Sequence, residues 1–197
     1  MDGRSVLVAL WVFLPAYVAN MSPVFTAKLF PWWGAPIDGG RLHRDGRRVL
    51  GDGKTWRGLA GGGLFGGATA VVLAHTAAGP FRHADFGLSL GSHTAAVFAF
   101  GFLVGLLALA GDAVESYFKR RRGKERGAPW IPFDQLDFVA FGLLGFALGT
   151  PLLADGWAWD VLWSDWVALA TIVLGTIVLH LLVNRVGYWL RLKEVPW

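Results

Sequence analysis

Residues 59–78 read LAGGGLFGGATAVVLAHTAA, twenty residues that include no Asp, Glu, Lys or Arg. An α-helix needs about 20 mostly apolar residues to cross a bilayer, so this stretch predicts a transmembrane helix. Gly58, which immediately precedes it, and Gly62 and Gly66 within it lie at four-residue steps. Such a row of small residues lets a neighbouring helix approach closely within a membrane. The stretch therefore predicts a helix packed inside a membrane bundle.

Four further apolar runs lie at residues 6–27, 95–110, 138–153 and 161–183. The runs at 95–110 and 138–153 are short, so each must recruit flanking turns at its polar end to span a bilayer. The chain is 54% hydrophobic and 16% charged, whereas a soluble domain is about 25% charged. We therefore expect an all-α polytopic membrane protein with five transmembrane helices, forming a single catalytic domain over residues 1–197.

The positive charges mark one side of this membrane. Of the 18 Lys and Arg residues, seven lie between the first two runs, six between the third and fourth, and three in the C-terminal tail. Only Arg4 and Arg82 remain for the other side. Because short cytoplasmic loops retain Lys and Arg, we expect the N-terminus outside and the C-terminus inside the cell membrane. The cytoplasmic loops then span about 28–57 and 114–135, and the active site faces the cytoplasm.

Composition also limits the chemistry. The absence of Cys excludes disulfides, Cys-ligated zinc and thiol catalysis. The pI is about 9.8, but the basic residues lie beside the membrane, which favours anionic headgroups or phosphorylated ligands over nucleic acid. We expect membrane lipids as partners, with no nucleic acid and no protein partner. His180 and Asn184 share one face of the fifth helix, where interhelical hydrogen bonding is favoured over a direct functional role.

A glycine-rich basic segment precedes the second helix. Residues 45–58 read DGRRVLGDGKTWRG, and glycines there allow backbone N–H groups to converge on an anion. The following helix N-terminus and the Lys and Arg residues add positive potential, which indicates phosphate binding. The segment is not a Walker A loop, because Arg48 stands where that motif requires glycine. On this segment alone, a solvated loop that faces headgroups is an equal alternative.

Polar side chains extend the third apolar run. Residues 111–123 read GDAVESYFKRRRG. If the third helix continues through them, four side chains fall on one face: Asp112, Ser116, Lys119 and Arg120.

A second acidic pair stands at the start of the fourth helix. In residues 132–138, PFDQLDF, Asp134 and Asp137 lie three residues apart on one face. Two carboxylates at a helix start can simply be favourable dipole partners. However, the loop between the third and fourth helices is short enough for this pair to meet Asp112. Three carboxylates beside many cations suggest Mg²⁺ that bridges to phosphates.

These motifs together resemble a known family. The pattern in residues 111–123, followed by the DxxD pattern of residues 134–137, resembles the C-terminal signature of the CTP:phosphatidate cytidylyltransferases, the CDP-diacylglycerol synthases. The chain departs from them because WIPF, at residues 130–133, replaces the glycine-rich stretch before the paired aspartates, and because it is shorter. The chain is similar to the archaeal branch, the CDP-archaeol synthases. The similarity lies in its length, in residues 19–23 (ANMSP), in the 45–58 block and in residues 132–138.

The resemblance implies a reaction and a set of roles. CTP and digeranylgeranylglyceryl phosphate, an isoprenoid ether phospholipid precursor, would give CDP-archaeol and pyrophosphate in membrane phospholipid biosynthesis. Mg²⁺ would be held by Asp112, Asp134 and Asp137, with Ser116, Lys119 and Arg120 near the phosphates. The expected substrate-binding residues are Asn20, Gly51, Asp52, Gly53, Lys54, Thr55 and Arg57, with Asp38 as a further candidate.

Three alternatives stay open at this point. A CDP-diacylglycerol synthase acting on ester lipids would share the catalytic residues. A CTP-dependent lipid or polyprenol kinase would transfer the γ-phosphoryl group and release CDP. A transporter would explain the helices and glycine rows, but transporters more often place ionisable groups near the membrane midplane.

Overall fold

The computed structural model describes residues 3–76, 94–125, 128–152, 162–163 and 165–191. These residues contain five long helices: α1 (Gly3–Leu29), α2 (Trp56–Thr76), α3 (Thr94–Arg121), α4 (Phe133–Gly149) and α5 (Trp166–Trp189). A 3₁₀ turn, Thr150–Leu152, follows α4. Within the described ranges there is no strand, only two isolated bridges in the α1–α2 loop. The all-α prediction is confirmed.

Four of the helices, α1, α2, α3 and α5, are long and apolar enough to cross a membrane. The third helix does extend beyond its apolar run, because α3 continues to Arg121 and carries the polar residues 112–120 with it. In contrast, α4 has 17 residues, at the lower limit of the helix lengths that cross a bilayer. The described residues do not include Arg82 or the ends predicted for three apolar runs at residues 78, 153 and 161.

Glycines let α2 and α3 pack backbone against backbone. A Cβ atom on Gly66 would overlap the carbonyl oxygen of Gly101, and one on Gly105 would overlap the carbonyl oxygen of Gly62. Small residues at these four positions are therefore required by the close approach of the two helices. The prediction that α2 packs tightly inside the bundle is confirmed.

An apolar core joins α1 to α3, α4 and α5. Phe13 stacks on Phe146 with ring centroids 5.7 Å apart, and Phe100 meets Phe146 edge-on at 5.0 Å. The Tyr17 hydroxyl and the Thr176 hydroxyl lie 2.8 Å apart and link α1 to α5. These contacts fix the relative positions of the helices, and so of the polar segments at their ends.

Candidate active site

A cavity of about 920 Å³ lies where the five helices and the α1–α2 loop meet. Polar side chains reach it from α1, α3, α4, α5 and the loop, while α2 contributes Gly58 and Leu59. Those from the helices include Asn20, Asp112, Glu115, Ser116, Lys119, Arg120, Asp134, Asp137, His180 and Asn184. The residues that sequence reasoning distributed over separate segments therefore share one site.

Three carboxylates in this cavity are close enough to share a cation. Oxygen atoms of Asp112, Glu115 and Asp137 all lie within 4.8 Å of one another. Asp112 and Glu115 are three residues apart on α3, so they share a face, and Asp137 comes from the first two turns of α4. Carboxylate oxygens are the ligands that hard divalent cations prefer. The donor set therefore fits a divalent metal.

Two lysines offset part of the negative charge. The Lys54 ammonium lies 2.6 Å from both carboxylate oxygens of Asp112. Lys119 lies 3.2 Å from Glu115 and also pairs with Asp134. Four carboxylates and two ammonium groups thus lie together in a partly buried cluster. Because neighbouring carboxylates repel each other when ionised, a divalent cation among them would lower that repulsion.

Asp134 occupies a different place from the one expected. It accepts a hydrogen bond from the Trp130 backbone N–H at 2.7 Å and pairs with Lys119, while Glu115 completes the triad with Asp112 and Asp137. The i, i+3 spacing that singled out Asp134 with Asp137 exists equally between Asp112 and Glu115. That spacing is the signal that could have identified Glu115 from the sequence.

Asp38 organises the glycine-rich loop. Its side chain is only 2% exposed and accepts hydrogen bonds from Arg48 Nη2 at 2.7 Å and from the N–H groups of Leu50 (2.9 Å) and Gly51 (3.0 Å). Burial would raise the pKa of Asp38, but these donors outweigh it and hold the pKa well below its usual value. Gly51 itself has φ +96°, a conformation that favours glycine. Asp38 thus holds the turn at Leu50 and Gly51 by hydrogen bonds and does not line the cavity.

The loop is also docked on α3. The Ser116 hydroxyl donates to the Leu50 carbonyl at 2.9 Å. Arg121 donates to the carboxylate of Asp45 at 2.6 Å and to the carbonyl of Arg48 at 2.5 Å. Sequence reasoning did not identify Arg121 or Asp45, because two residues 76 positions apart carry no local signal of contact.

Most of the expected substrate-binding residues line the cavity: Asn20, Gly51, Asp52, Gly53, Lys54 and Thr55. Thr55 also accepts the Gly58 N–H at 3.2 Å and so caps the start of α2. Arg57 is the exception. Its guanidinium donates to the carbonyls of Phe30 (2.8 Å) and Pro31 (3.1 Å), and it does not border the cavity.

His180 and Asn184 line the same cavity from α5. The His180 Nε2 and Asn184 Nδ2 atoms lie 3.4 Å apart, and Asn184 is buried. Their predicted position on one helix face is confirmed, and that face borders the polar site.

The chain is similar to known proteins along nearly its whole length. A family model described as CarS-like, CDP-archaeol synthase, matches residues 4–197. The chain is 42% identical to the CDP-archaeol synthase of Methanopyrus kandleri, covering 95% of this chain and 91% of the relative. It is 41% identical to that of Halobacterium salinarum R1, with 98% and 97% covered. A solved structure described as an intramembrane enzyme for archaeal membrane lipids biosynthesis has a TM-score of 0.64 and 34% identity, covering 91% of this chain and 94% of the other.

Proposed function

The chain belongs to the CDP-archaeol synthase family, and from that premise we propose that it transfers the cytidylyl group of CTP to an isoprenoid ether lipid phosphate. The family resemblance expected from the motifs is thus confirmed. The products are CDP-archaeol and pyrophosphate. One observation carries the proposal: the Lys54 contact with Asp112 joins the phosphate-binding loop to the carboxylate triad within a single cavity.

The reaction needs one bond made and one broken. A lipid phosphate oxygen attacks the α-phosphorus of CTP, and the bond from that phosphorus to the bridging oxygen of the β-phosphate breaks, so pyrophosphate leaves. The lipid phosphate is ionised at neutral pH, so the attack requires no dedicated general base. Positioning and electrostatic stabilisation then supply most of the catalysis, as in phosphoryl transfer generally.

The loop and the α2 N-terminus suit the triphosphate. Residues 51–54 border this edge of the cavity, where the Lys54 ammonium and the positive end of the α2 dipole would attract the phosphates. Ser116 and Arg120 border the same space from α3 and are placed to contact the lipid phosphate.

Asp112, Glu115 and Asp137 would hold Mg²⁺, since Mg²⁺ prefers oxygen ligands and is commonly bound by carboxylates together with substrate phosphates. When bound, Mg²⁺ neutralises charge on the triphosphate. Asp134, predicted as a ligand, is assigned instead to the positioning of Lys119, with which it pairs.

We further infer that all five helices cross the cell membrane, with the N-terminus outside and the cavity open to the cytoplasm. The distribution of Lys and Arg supports this orientation, and CTP is a cytosolic substrate. Residues 1–197 then form one catalytic domain. The shorter α4 spans by local thinning of the bilayer, which costs only fractions of a kcal/mol per Å.

The position of the cleaved bond tests the function. Purified protein with Mg²⁺ and a panel of phosphorylated lipids is given CTP labelled at either the α- or the γ-phosphate. The proposal requires α-label in the lipid and γ-label in pyrophosphate. Transfer of γ-label to the lipid would instead establish a kinase, and equal use of ester and ether lipids would remove the ether-lipid assignment.

A further inference from the structure

Two chain segments exchange hydrogen bonds where the α1–α2 loop meets the end of α3. Arg121, the last residue of α3, donates to the Asp45 carboxylate at 2.6 Å and to the carbonyls of Arg47 at 3.4 Å and Arg48 at 2.5 Å. In the other direction, Arg47 Nη1 donates to the Arg121 carbonyl at 3.3 Å. Each of these two arginines therefore binds the backbone of the other's segment. We call the contacts among Asp45, Arg47, Arg48 and Arg121 the clasp.

The end of α3 suits the loop arginine. The last carbonyls of a helix have no partner within the helix and carry partial negative charge, so a guanidinium bound there is stabilising. Arg47 supplies that guanidinium, which also packs against Gly123, where a Cβ atom would come within 3.1 Å of it. Gly123 has φ +72°, a conformation that favours glycine. The chain thus leaves α3 by a turn that keeps room for Arg47.

The Arg121 side chain is fixed on several sides. It is 16% exposed, and its guanidinium lies over the Tyr117 ring, 5.3 Å from the centroid. A stacked guanidinium with a carboxylate partner and carbonyl acceptors has its orientation set by all of them. Neither Asp45 nor Arg121 is among the described residues that line the cavity. Any effect of this pair on the reaction is therefore transmitted through the loop.

The clasp lies directly before the turn assigned to the triphosphate. Arg48, whose carbonyl Arg121 binds, is followed two residues later by Leu50, whose carbonyl accepts the Ser116 hydroxyl at 2.9 Å. Residues 51–54 then border the cavity, and Lys54 meets Asp112. The turn is therefore held against α3 at both ends, by the clasp before it and by the Lys54 contact after it.

We propose that Arg121 is a positioning residue for CTP: through the clasp it holds residues 51–54 at the distance from the carboxylate triad that the triphosphate needs. This inference rests on the proposed function. The lipid phosphate depends on the clasp much less, because Arg120 borders the cavity from α3 itself. Loss of the clasp should therefore weaken the use of CTP selectively.

Equilibrium binding of CTP tests the proposal without turnover. The purified protein is titrated with CTP in detergent, with Mg²⁺ and without lipid. We expect Arg121→Gln to raise the Kd for CTP about 10-fold, because charge-assisted hydrogen bonds to a partly exposed loop are lost. Arg122→Gln is the matched control, since the Arg122 guanidinium lies over the Trp130 ring and not in the clasp. It should bind CTP as the wild type does. An unchanged Kd in Arg121→Gln would overturn the proposal.

Asp45→Asn tests the clasp from the loop side. The new side chain can still accept the Arg47 backbone N–H, as Asp45 does at 3.1 Å, so the local turn is kept while the charge is lost. Asp45→Asn should also raise the Kd for CTP, and it carries the test if Arg121→Gln fails to fold. The double variant should bind CTP no more weakly than Arg121→Gln alone, because both changes remove one interaction. Additive losses would show that Arg121 does not act through Asp45.

Steady-state kinetics separate positioning from general damage to the fold. In Arg121→Gln the KM for CTP should rise while the KM for the lipid phosphate and the Tm stay at the wild-type values. Arg121→Lys keeps the charge and should restore part of the affinity for CTP. A rise of both KM values together with a lower Tm would make Arg121 a structural residue and overturn the proposal. If the wild type binds no CTP, the proposed function fails; if it binds CTP and the clasp variants bind it equally well, only this inference fails.

Discussion

Two lysine residues connect separate parts of the chain through the acidic cluster. Lys54 links the α1–α2 loop to Asp112 on α3, and Lys119 on α3 pairs with Asp134 on α4. Each ammonium group lowers the repulsion between carboxylates that lie within a few ångströms of each other. The same two side chains border the cavity, so they contact both the cluster and the space assigned to phosphates.

The roles of Glu115 and Asp134 can be distinguished by how the activity of a variant at each position depends on the Mg²⁺ concentration. Glu115→Gln removes a proposed ligand charge and should raise the Mg²⁺ concentration for half-maximal activity by roughly 10-fold to 100-fold. Asp134→Asn removes a partner of Lys119, so it should lower kcat with little change in that concentration. Activity titrated with Mg²⁺ gives both values, and Asp165→Asn, at the N-cap of α5 and outside the cavity lining, is the control. If Asp134→Asn shifts the Mg²⁺ requirement and Glu115→Gln does not, the ligand set expected from the sequence is right.

The sequence could predict Asp112 and Asp137 as neighbours because a short connection joins the ends of their helices. It could not show whether Glu115 or Asp134 lies closer to these two carboxylates, because that depends on the rotation of α4 against α3. The rotation is set by packing, such as that of Phe141 and the Asp137 backbone against Gly111. Such contacts join residues distant in sequence and leave no local pattern.

Asp38 is predicted to hold the loop without touching the substrate. Asp38→Asn loses charge-assisted hydrogen bonds worth about 1.5–3 kcal/mol, which corresponds to roughly 10-fold to 100-fold faster hydrogen exchange at the Leu50 and Gly51 amides. Asp52→Asn, which breaks a more exposed pair with Arg48, should change exchange only slightly. Mass spectrometry of peptides covering residues 45–55 measures both.

The pH dependence of this loop follows from the same carboxylate. Its pKa is lower in the folded protein than in the unfolded chain, so its stabilising contribution is complete above about pH 4 and is lost as pH falls below that value. Amide protection that persists in Asp38→Asn at neutral pH would show that the hydrogen bonds to Asp38 are not what orders the turn.

At the scale of helices, the bundle depends on backbone contact between α2 and α3. The close approach brings Gly62 of α2 against Leu109 of α3, one turn from Asp112. Apolar runs and glycine rows were sufficient to predict that these helices exist and pack closely. The fold of the α1–α2 loop could not be predicted in the same way, because Asp38, Arg48 and Arg121 meet through long-range contacts.

Gly105→Ala should therefore separate α2 from α3. Its added methyl would meet the Gly62 carbonyl, and overpacking of this kind costs about 1–3 kcal/mol. We expect a lower Tm in detergent and reduced turnover, since the cavity is built on both helices. Gly175→Ala is a matched control on α5, where the nearest atom to the new methyl is 3.9 Å away. A better helix former at this position should leave the Tm unchanged or slightly higher. Equal Tm values for the two variants would contradict the tight α2–α3 contact.

At the scale of the whole molecule, the number of membrane crossings fixes which side each terminus occupies. The helices α1, α2, α3 and α5 are each long and apolar enough to cross the membrane. The fourth helix, α4, has only 17 residues. If α4 also crosses, α5 ends in the cytoplasm on the same side as the loop that carries Lys54. If α4 only entered the bilayer and returned, α5 would end outside, which conflicts with the position of His180 and Asn184 of α5 in the same cavity as Lys54.

Cysteine labelling decides between these topologies, because the chain has no natural Cys. Arg44→Cys and Arg191→Cys place single thiols at exposed positions in the α1–α2 loop and just beyond α5. Five crossings predict that a membrane-impermeant maleimide labels neither variant in intact cells and labels both once the membrane is opened. Labelling of Arg191→Cys alone in intact cells would mean four crossings and an outer C-terminus. Labelling of Arg44→Cys in intact cells would place the cavity outside, where cytosolic CTP cannot reach it. The proposed nucleotide would then be excluded, since the loop that carries Lys54 would face the wrong compartment.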